Sequence, residues 1–179
     1  MTVSSTVDKH RGRSPVKVKF AIIVTSDMLY ERSLRGEAVA DETGDLMERL
    51  VLDSGHQLVL RELSPNNADK IKEALERAVA KEADIVLISG GTGLGPRDVS
   101  VDALTPLFDK RIPGFGELFR SLSYSEIGSA AMLSRAEAGV FKGTAVFILP
   151  GSPHAARLAL IKLILPEAGH LVAEIKGVR

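Results

Sequence analysis

A short apolar run that leads directly into a glycine-rich loop constrains the fold of this chain more than any other feature. Residues 85 to 88 read Ile-Val-Leu-Ile, and glycines follow at positions 90, 91, 93 and 95. A continuous apolar run of this length, bounded by a turn, is typical of a strand buried on both faces of a parallel sheet. Closely spaced glycines permit positive φ angles and present several backbone N–H groups to one side, which suits an anion such as phosphate. The pattern predicts an α/β protein with an anion-binding loop at the carboxyl end of a strand.

The simplest alternative is a tight connection in which the glycines serve the geometry of the turn alone. The loop completes neither of the common phosphate-binding patterns, because GxGxxG is absent and no Gly-Lys-Ser or Gly-Lys-Thr closes it. Dinucleotide-binding and P-loop proteins are therefore excluded, and a phosphate loop of another kind remains open.

Composition excludes several further classes. The 179 residues carry no net charge and no cysteine, and the four histidines are scattered without ligand spacing. Disulfides, thiolate ligands and a structural zinc site are therefore not expected, and neither is a nucleic-acid or membrane partner. We expect residues 1–15 to form a flexible N-terminal leader, and residues 16–179 to form one domain in the cytoplasm.

The segments around the central strand predict alternating strands and helices. Residues 16–25 and 56–63 alternate like strands, while apolar residues recur at helical spacing between residues 44 and 55 and over 68–81. This β-α-β-α-β order predicts a parallel sheet covered by helices on both faces.

Several connecting segments are predicted from turn and breaker residues. Residues 28–37 show no apolar period and are predicted to form a loop, whereas the helix after residue 98 is expected to bend or break at Pro106. Pro113 and the glycines at positions 114 and 116 predict a turn, and two short helices are predicted within residues 123–132.

The C-terminal part predicts a hairpin and a long helix. Residues 136–141 and 144–149 flank Lys142–Gly143, which is typical of a hairpin and adds one antiparallel strand to an otherwise parallel sheet. The helix that follows Pro153 is expected to kink at Leu165–Pro166.

Polar residues and glycines collect where the predicted parallel strands end. Ser26 and Asp27 follow the first strand, Thr92 and Asp98 belong to the glycine loop, and residues 150–152 (Pro-Gly-Ser) follow the last strand. Backbone amides and hydroxyls bind phosphate, and carboxylates can hold Mg²⁺ against it. These residues indicate a phosphate site of the kind used in nucleotide chemistry.

Structural roles are the alternative for several of these residues. Asp98 could cap a helix that begins at Val99, and Ser152 could cap the last helix. Arg135, next to Ser134, could clamp a phosphate bidentately, although a surface carboxylate is the commoner partner of such an arginine.

Four motifs extend this interpretation to a known family. The segments SGGTGLGPRDVSVDAL, IPGFGELFRSLSYSEIG, AMLSRAEAGVFKG and ILPGSP follow one another along the chain. In sequence and order they resemble the MogA/MoaB family of molybdenum cofactor biosynthesis proteins, which includes molybdopterin adenylyltransferases and is related to the gephyrin G domain. The second and third segments look more like the MoaB branch.

The resemblance implies a three-layer α/β/α sandwich with a mostly parallel sheet, assembled as a trimer or hexamer. It also implies a reaction in which AMP passes from ATP to the terminal phosphate of molybdopterin, with Mg²⁺ present and pyrophosphate released. The product would pass to a molybdenum-insertion enzyme.

Residues are assigned to this reaction by matching the motifs. Asp98, Asp27 and Asn66 occupy the positions expected to be catalytic, and Asp98 is expected to ligate Mg²⁺. The strand-end residues and the family motifs together give the candidate binding residues: Ser26, Asp41, Gly44, Gly90, Gly91, Thr92, Gly93, Ser134, Arg135, Pro150, Gly151 and Ser152.

Two other functions remain open. Asn66 follows Pro65 where adenylyltransferases of the family often carry an aspartate, so a non-catalytic molybdopterin-binding or scaffolding oligomer is one alternative. A nicotinamide-nucleotide or ADP-ribose pyrophosphatase-like domain is the other, although that group usually has leucine where this loop has Thr92.

Overall fold

The computed structural model describes residues 17–178, so the leader predicted at 1–15 lies outside the described residues. The strands are β1 (Lys19–Thr25), β2 (Gln57–Ser64), β3 (Ile85–Ser89), β4 (Lys110–Arg111), β5 (Glu137–Phe141) and β6 (Thr144–Leu149). The helices are α1 (Asp27–Leu34), α2 (Glu42–Asp53), α3 (Ala68–Ala80), α4 (Ser100–Leu104), α5 (Pro113–Ile127), α6 (Pro153–Ala159) and α7 (Leu165–Lys176). No helix within residues 17–178 is long and apolar enough to cross a membrane.

The six strands within the described residues form one mixed sheet in the order β2-β1-β3-β6-β5-β4. The first four strands in this order pair in parallel, whereas β5 is antiparallel to both of its neighbours. The predicted single antiparallel strand is therefore confirmed. The two-residue β4 was not predicted, because so short an edge strand has no periodicity to detect.

Helices cover both faces of the sheet, which confirms the predicted three layers. Alternate residues of β1 face opposite sides, so that Phe20 and Ile22 pack in one core and Ala21 and Ile23 in the other. The first core also takes buried residues from α2, α5, α6 and α7, and the second takes them from α3 and α4. A sheet buried on both faces explains the continuous apolar run of β3.

The loop predicted at 28–37 is wrong, because residues 27–34 form α1. None of its residues is buried, so no apolar stripe marks it in the sequence. The Oγ atom of Ser26 caps the helix by accepting a hydrogen bond from Leu29 N at 3.3 Å, and Asp27 adds a carboxylate to the first turn.

The turn predicted at 113–116 is also wrong, since α5 begins at Pro113, which occupies a position in the first turn that suits proline. Gly116 is buried within α5, and a Cβ there would lie 2.7 Å from the carbonyl oxygen of Ala136. This glycine therefore serves close packing rather than a turn. Of the two short helices predicted within 123–132, the first is the end of α5 and the second is a 3-10 helix over Gly128–Leu133.

The other irregularities follow the prolines closely. The helix after residue 98 ends at Leu104 and continues as a 3-10 turn over Thr105–Leu107, which confirms the break at Pro106. The last helix is continuous from α6 to α7, and a π-helical stretch over Leu160–Ile164 comes just before Leu165–Pro166, where the kink was predicted.

Candidate functional site

The strand order brings four strand ends together at one edge of the sheet. Thr25 at the end of β1 is level with Ser64 at the end of β2, and Ser89 at the end of β3 is level with Leu149 at the end of β6. Because β1 and β3 are also neighbours, the loops that follow all four strands are adjacent. The residues expected after the strands therefore do lie along one edge.

The glycine loop, residues 90–95, takes a conformation that only glycine accepts at its first two positions. Gly90 and Gly91 have φ angles of +106° and +64°. A Cβ on Gly90 would lie 2.3 Å from the carbonyl oxygen of Thr25, and one on Gly91 would lie 2.4 Å from Ser100 Oγ. The backbone thus approaches its neighbours too closely for any side chain.

This conformation leaves successive backbone N–H groups free. Gly90 N donates to Leu149 O at 3.0 Å, whereas within residues 17–178 the N–H groups of positions 91 to 94 have no hydrogen-bond acceptor. Unpaired N–H groups that follow one another in a glycine-rich turn form an anion-binding concavity. The glycine loop is therefore equipped to bind a phosphate.

Asp98 folds back onto the glycine loop. Its Oδ2 accepts a hydrogen bond from Gly95 N at 3.2 Å, and a Cβ on Gly93 would lie 2.7 Å from the same oxygen. Capping by Asp98 is excluded, because α4 starts at Ser100 with Val99 before it and no side-chain cap. The carboxylate instead lies beside the loop expected to bind phosphate.

Asp27 and Asn66 meet at the neighbouring strand ends. Asn66 N donates to Asp27 Oδ1 at 2.7 Å, and a Cβ on Gly91 would lie 2.7 Å from Asn66 Oδ1. That amide oxygen is buried without a hydrogen-bond partner among the described residues. Asp27, Asn66 and the glycine loop therefore form one continuous corner of the site.

Asp41 and Gly44 serve the start of α2. Asp41 is buried, and its carboxylate accepts from Gly44 N at 2.9 Å and pairs with Arg61 at 3.0 Å. Partial burial lowers the pKa of Arg61, but bonds to Asp45, Glu48 and Asp41 outweigh it, so the pKa is raised above its ordinary value. The Asp41 carboxylate therefore contacts protein groups, and a ligand contact by Asp41 stays a prediction.

The loop after β6 is held from two sides. Ser89 Oγ donates to Pro150 O at 3.2 Å, and Thr43 Oγ1, at the start of α2, donates to Gly151 O at 2.9 Å. Ser152 Oγ accepts from Ala155 N at 3.2 Å and caps α6, as the alternative interpretation expected.

Arg135 contacts the glycine loop directly. Its guanidinium donates to Gly93 O at 3.1 Å and to the Asp102 carboxylate at 2.5 Å. The neighbouring Ser134 Oγ accepts a long bond from Ala136 N at 3.4 Å. Arg135 therefore supports the loop through a carbonyl, and a phosphate contact by Arg135 stays a prediction.

A cavity of about 350 Å³ opens between the glycine loop and the loop after β6. Five predicted residues line it: Thr92, Gly93, Ser134, Pro150 and Ser152. Its walls are largely apolar and come mainly from α5, the 3-10 helix after it and α6, so that it suits an apolar or aromatic part of a ligand beside the glycine loop. Asp27, Asn66, Asp98, Asp41 and Arg135 do not line this cavity.

Residues of α5 and α6 in this cavity were not predicted. Glu126 and His154 face each other in its lining, with Oε2 and Nε2 3.1 Å apart, and Ser123 and Phe119 lie about one and two turns before Glu126, respectively. Their spacing along α5 was readable from the sequence, but the turn predicted at 113–116 obscured the helix.

The described residues contain no group of three histidine or carboxylate side chains placed to hold a metal ion. Mg²⁺ is usually bound through one or two carboxylates together with the phosphates of its substrate. Asp98 beside the glycine loop and Asp27 at the adjoining strand end fit that donor set.

Comparisons with known proteins agree with the fold and the motifs. Residues 21–170 match the family model described as a probable molybdopterin binding domain. Molybdenum cofactor biosynthesis protein B of Bacillus subtilis is 42% identical over 172 residues, which cover 95% of this chain and 97% of the relative. A protein of Methanocaldococcus jannaschii, named "Probable molybdopterin adenylyltransferase", is 37% identical over 89% of this chain and 94% of the relative. A crystal structure of a molybdenum cofactor biosynthesis protein B superposes with a TM-score of 0.84 at 42% identity, covering 92% of this chain and 99% of that one.

Proposed function

Because the chain belongs to the molybdopterin-binding family that includes molybdenum cofactor biosynthesis protein B, we propose that it is a molybdopterin adenylyltransferase. It acts in molybdenum cofactor biosynthesis and transfers AMP from ATP to the terminal phosphate of molybdopterin, in the cytoplasm. The 37% sequence identity to a relative named "Probable molybdopterin adenylyltransferase" supports this reaction.

One observation carries the proposal. Within residues 17–178, the N–H groups of positions 91 to 94 have no acceptor, and they adjoin a largely apolar cavity of about 350 Å³. The Asp98 carboxylate lies beside this loop, and Asp27 lies at the adjoining strand end. A substrate with a flat ring and a phosphate matches this arrangement, since the ring fits the cavity and the phosphate fits the loop.

The reaction needs positioning and charge neutralisation more than covalent catalysis. A phosphate oxygen of molybdopterin attacks the α-phosphorus of ATP, a new P–O bond forms, and the bond to the β-phosphate oxygen breaks to release pyrophosphate. The N–H groups of the glycine loop hold one anionic group in place for this displacement. Mg²⁺ held by Asp98, with Asp27 at the next strand end, would neutralise charge on the phosphates.

The decisive experiment incubates purified protein with molybdopterin, ATP and Mg²⁺ and measures adenylated molybdopterin and pyrophosphate. We expect both products from the wild type and a loss of at least about 100-fold in Asp98→Ala, because a group that neutralises developing charge contributes on this scale. Asp53→Ala is the matched control, since Asp53 is an exposed carboxylate at the end of α2. Equal turnover in Asp98→Ala and Asp53→Ala would remove the assignment of Asp98.

A non-catalytic molybdopterin-binding protein is the second candidate, and Asn66 is the observation that favours it. Asn66 places a neutral amide beside Gly91, so this corner lacks the second anionic ligand that an aspartate at position 66 would add to Asp27. Binding of molybdopterin without formation of the adenylate would establish this candidate, and Asn66→Asp would then be expected to gain activity.

Self-association as a trimer or hexamer, and transfer of the product to a molybdenum-insertion enzyme, belong to the same proposal. Exposed large apolar side chains are concentrated on α5 and the 3-10 helix after it, namely Leu118, Tyr124, Ile127, Met132 and Leu133. Surfaces of this kind are typical of protein interfaces. Sedimentation analysis tests the assembly, and a protein that stays monomeric at all concentrations would contradict it.

A further inference from the structure

We propose that Ser100 is the positioning residue that aims the backbone N–H groups of the glycine loop at a bound anion. The inference rests on the proposed anion site in that loop and assigns a role to a residue that is not among the candidate site residues given above. Ser100 is fully buried and is the first residue of α4.

Ser100 holds two consecutive carbonyl groups of the glycine loop. Its Oγ donates to Gly90 O at 2.8 Å, and its backbone N donates to Gly91 O at 2.9 Å. The contact is close, since a Cβ on Gly91 would lie 2.4 Å from Ser100 Oγ. One residue therefore fixes the orientation of two neighbouring peptide units.

Fixing these carbonyls also fixes the adjoining N–H groups. In a trans peptide unit the C=O and the N–H point in opposite directions. Because the carbonyls of Gly90 and Gly91 point at Ser100, the N–H groups of Gly91 and Thr92 point away from it. These are the groups that lack an acceptor within residues 17–178, so they remain available to an anion.

Within residues 17–178, the hydroxyl in hydrogen-bond range of Ser100 Oγ is already used elsewhere. It is Thr25 Oγ1, which lies 3.5 Å from Ser100 Oγ and donates its hydrogen to Ser89 O at 3.2 Å. Removing the Ser100 hydroxyl therefore leaves Gly90 O without this donor, and the first peptide unit of the loop is then free to rotate.

The test is an NMR titration with inorganic pyrophosphate that follows the amide signals of residues 91 to 94. The variant is Ser100→Ala, which removes Oγ and keeps the backbone N. The matched control is Thr144→Val, because Thr144 is also buried and its Oγ1 donates to Ala83 O at 3.0 Å at the opposite end of the sheet. Both variants lose one buried hydroxyl-to-carbonyl hydrogen bond.

We expect pyrophosphate to shift these signals in the wild type and to bind Ser100→Ala about tenfold more weakly, the effect of one or two misdirected hydrogen bonds. Thr144→Val should bind within about twofold of the wild type, although it loses similar stability. In the free protein, only Ser100→Ala should change the Gly91 and Thr92 signals.

Equal affinity of Ser100→Ala and the wild type, or an equal loss in Thr144→Val, would overturn the inference. A wild type that does not bind pyrophosphate would overturn the anion site and the inference together. A wild type that binds pyrophosphate but forms no adenylated molybdopterin would contradict only the proposed reaction, and the role of Ser100 would stand.

Discussion

At the scale of single residues, the polar groups of the site differ in whether they have a hydrogen-bond partner within the described part of the protein. The carboxylate of Asp41 is satisfied by Gly44 N and Arg61, whereas Asn66 Oδ1 is buried without a donor among the described residues. Unsatisfied buried polar atoms are rare and often mark functional positions. Asn66 is therefore the residue at which substitution is most informative.

Asn66→Asp is expected to make stability depend on Mg²⁺. The new carboxylate would be buried beside Gly91 and close to Asp27, where two like charges repel unless a cation separates them. We expect a lower Tm than the wild type without Mg²⁺, and a larger rise when Mg²⁺ is added. Thermal unfolding of both proteins with Mg²⁺ and with EDTA measures this, and an identical Mg²⁺ effect would contradict it.

Gly90 and Gly169 are expected to respond oppositely to alanine. Gly90→Ala places a Cβ 2.3 Å from Thr25 O at a φ of +106°, so it should lower the free energy of unfolding by about 3 kcal/mol. Gly169 lies within α7 with open space around its Cβ position, so Gly169→Ala should raise it by about 0.5 to 1 kcal/mol. Urea unfolding measures both. A stable Gly90→Ala protein would show that the loop can take another conformation.

His56 is expected to make stability fall in mild acid. Burial lowers the pKa of His56 below its ordinary value of 6.5, and its ring packs against Phe20. The unfolded chain therefore binds the proton more tightly than the folded protein does. The stability that neutral His56 contributes is complete above pH 6.5 and is lost as the pH falls towards the lower pKa of the folded state. Urea unfolding at pH 7.5 and 5.5 measures this effect: the difference in unfolding free energy between the two pH values should be smaller for His56→Gln than for the wild type. An unchanged difference would exclude His56 as the cause.

At the scale of secondary-structure elements, short connections position the loops of the site. β5 and β6 are joined by Lys142 and Gly143, whose φ angles are +48° and +77°. Positive φ at both central residues is the feature of a type I′ hairpin turn, which matches the twist of paired strands. The hairpin sets β6 beside β3, and with it the loop that faces the glycine loop.

Gly143→Ala should isolate the conformational cost of this turn. A Cβ on Gly143 would meet nothing within 4 Å, so the cost comes from the positive φ alone and should be about 1 kcal/mol of unfolding free energy. Gly143→Asn should cost less, because asparagine tolerates this region. Chemical denaturation compares the two, and an equal cost would point to a different turn geometry.

At the scale of the whole molecule, Asp84 ties the first strand and the last helix to the end of the sheet opposite the site. It accepts from Lys19 N at 2.8 Å and from Lys176 Nζ at 2.5 Å, with a side chain only 11% exposed. We expect Asp84→Ala to cost about 1 to 3 kcal/mol, because Lys19 N is left unsatisfied. Lys176→Met should cost about 1 kcal/mol or less, since Lys176 is half exposed. If denaturation experiments showed that Asp84→Ala and Lys176→Met lose the same unfolding free energy, the larger role of the Lys19 N hydrogen bond would be contradicted.

The sequence by itself determined the local pieces of this protein. Apolar runs and helical spacing identified five of the strands and the main helices, because burial on one or both faces imposes a period that can be read directly. It did not identify α1, which buries no residue, or β4, which has two residues. The motifs also led to the correct family, since glycines in positive-φ positions and strand-end carboxylates leave a distinctive spacing.

Only the tertiary structure decided how these pieces meet. Strand order is set by which strand edges pair through backbone hydrogen bonds, and the order β2-β1-β3-β6 brought Asn66, Asp27, the glycine loop and residues 150–152 to one edge. It also showed that Asp41 and Arg135 contact protein groups, and that Ser100 and Thr43 hold loop carbonyls. Such hydrogen bonds join residues that are far apart in the sequence or that a loop brings together, so no local pattern in the sequence predicts them.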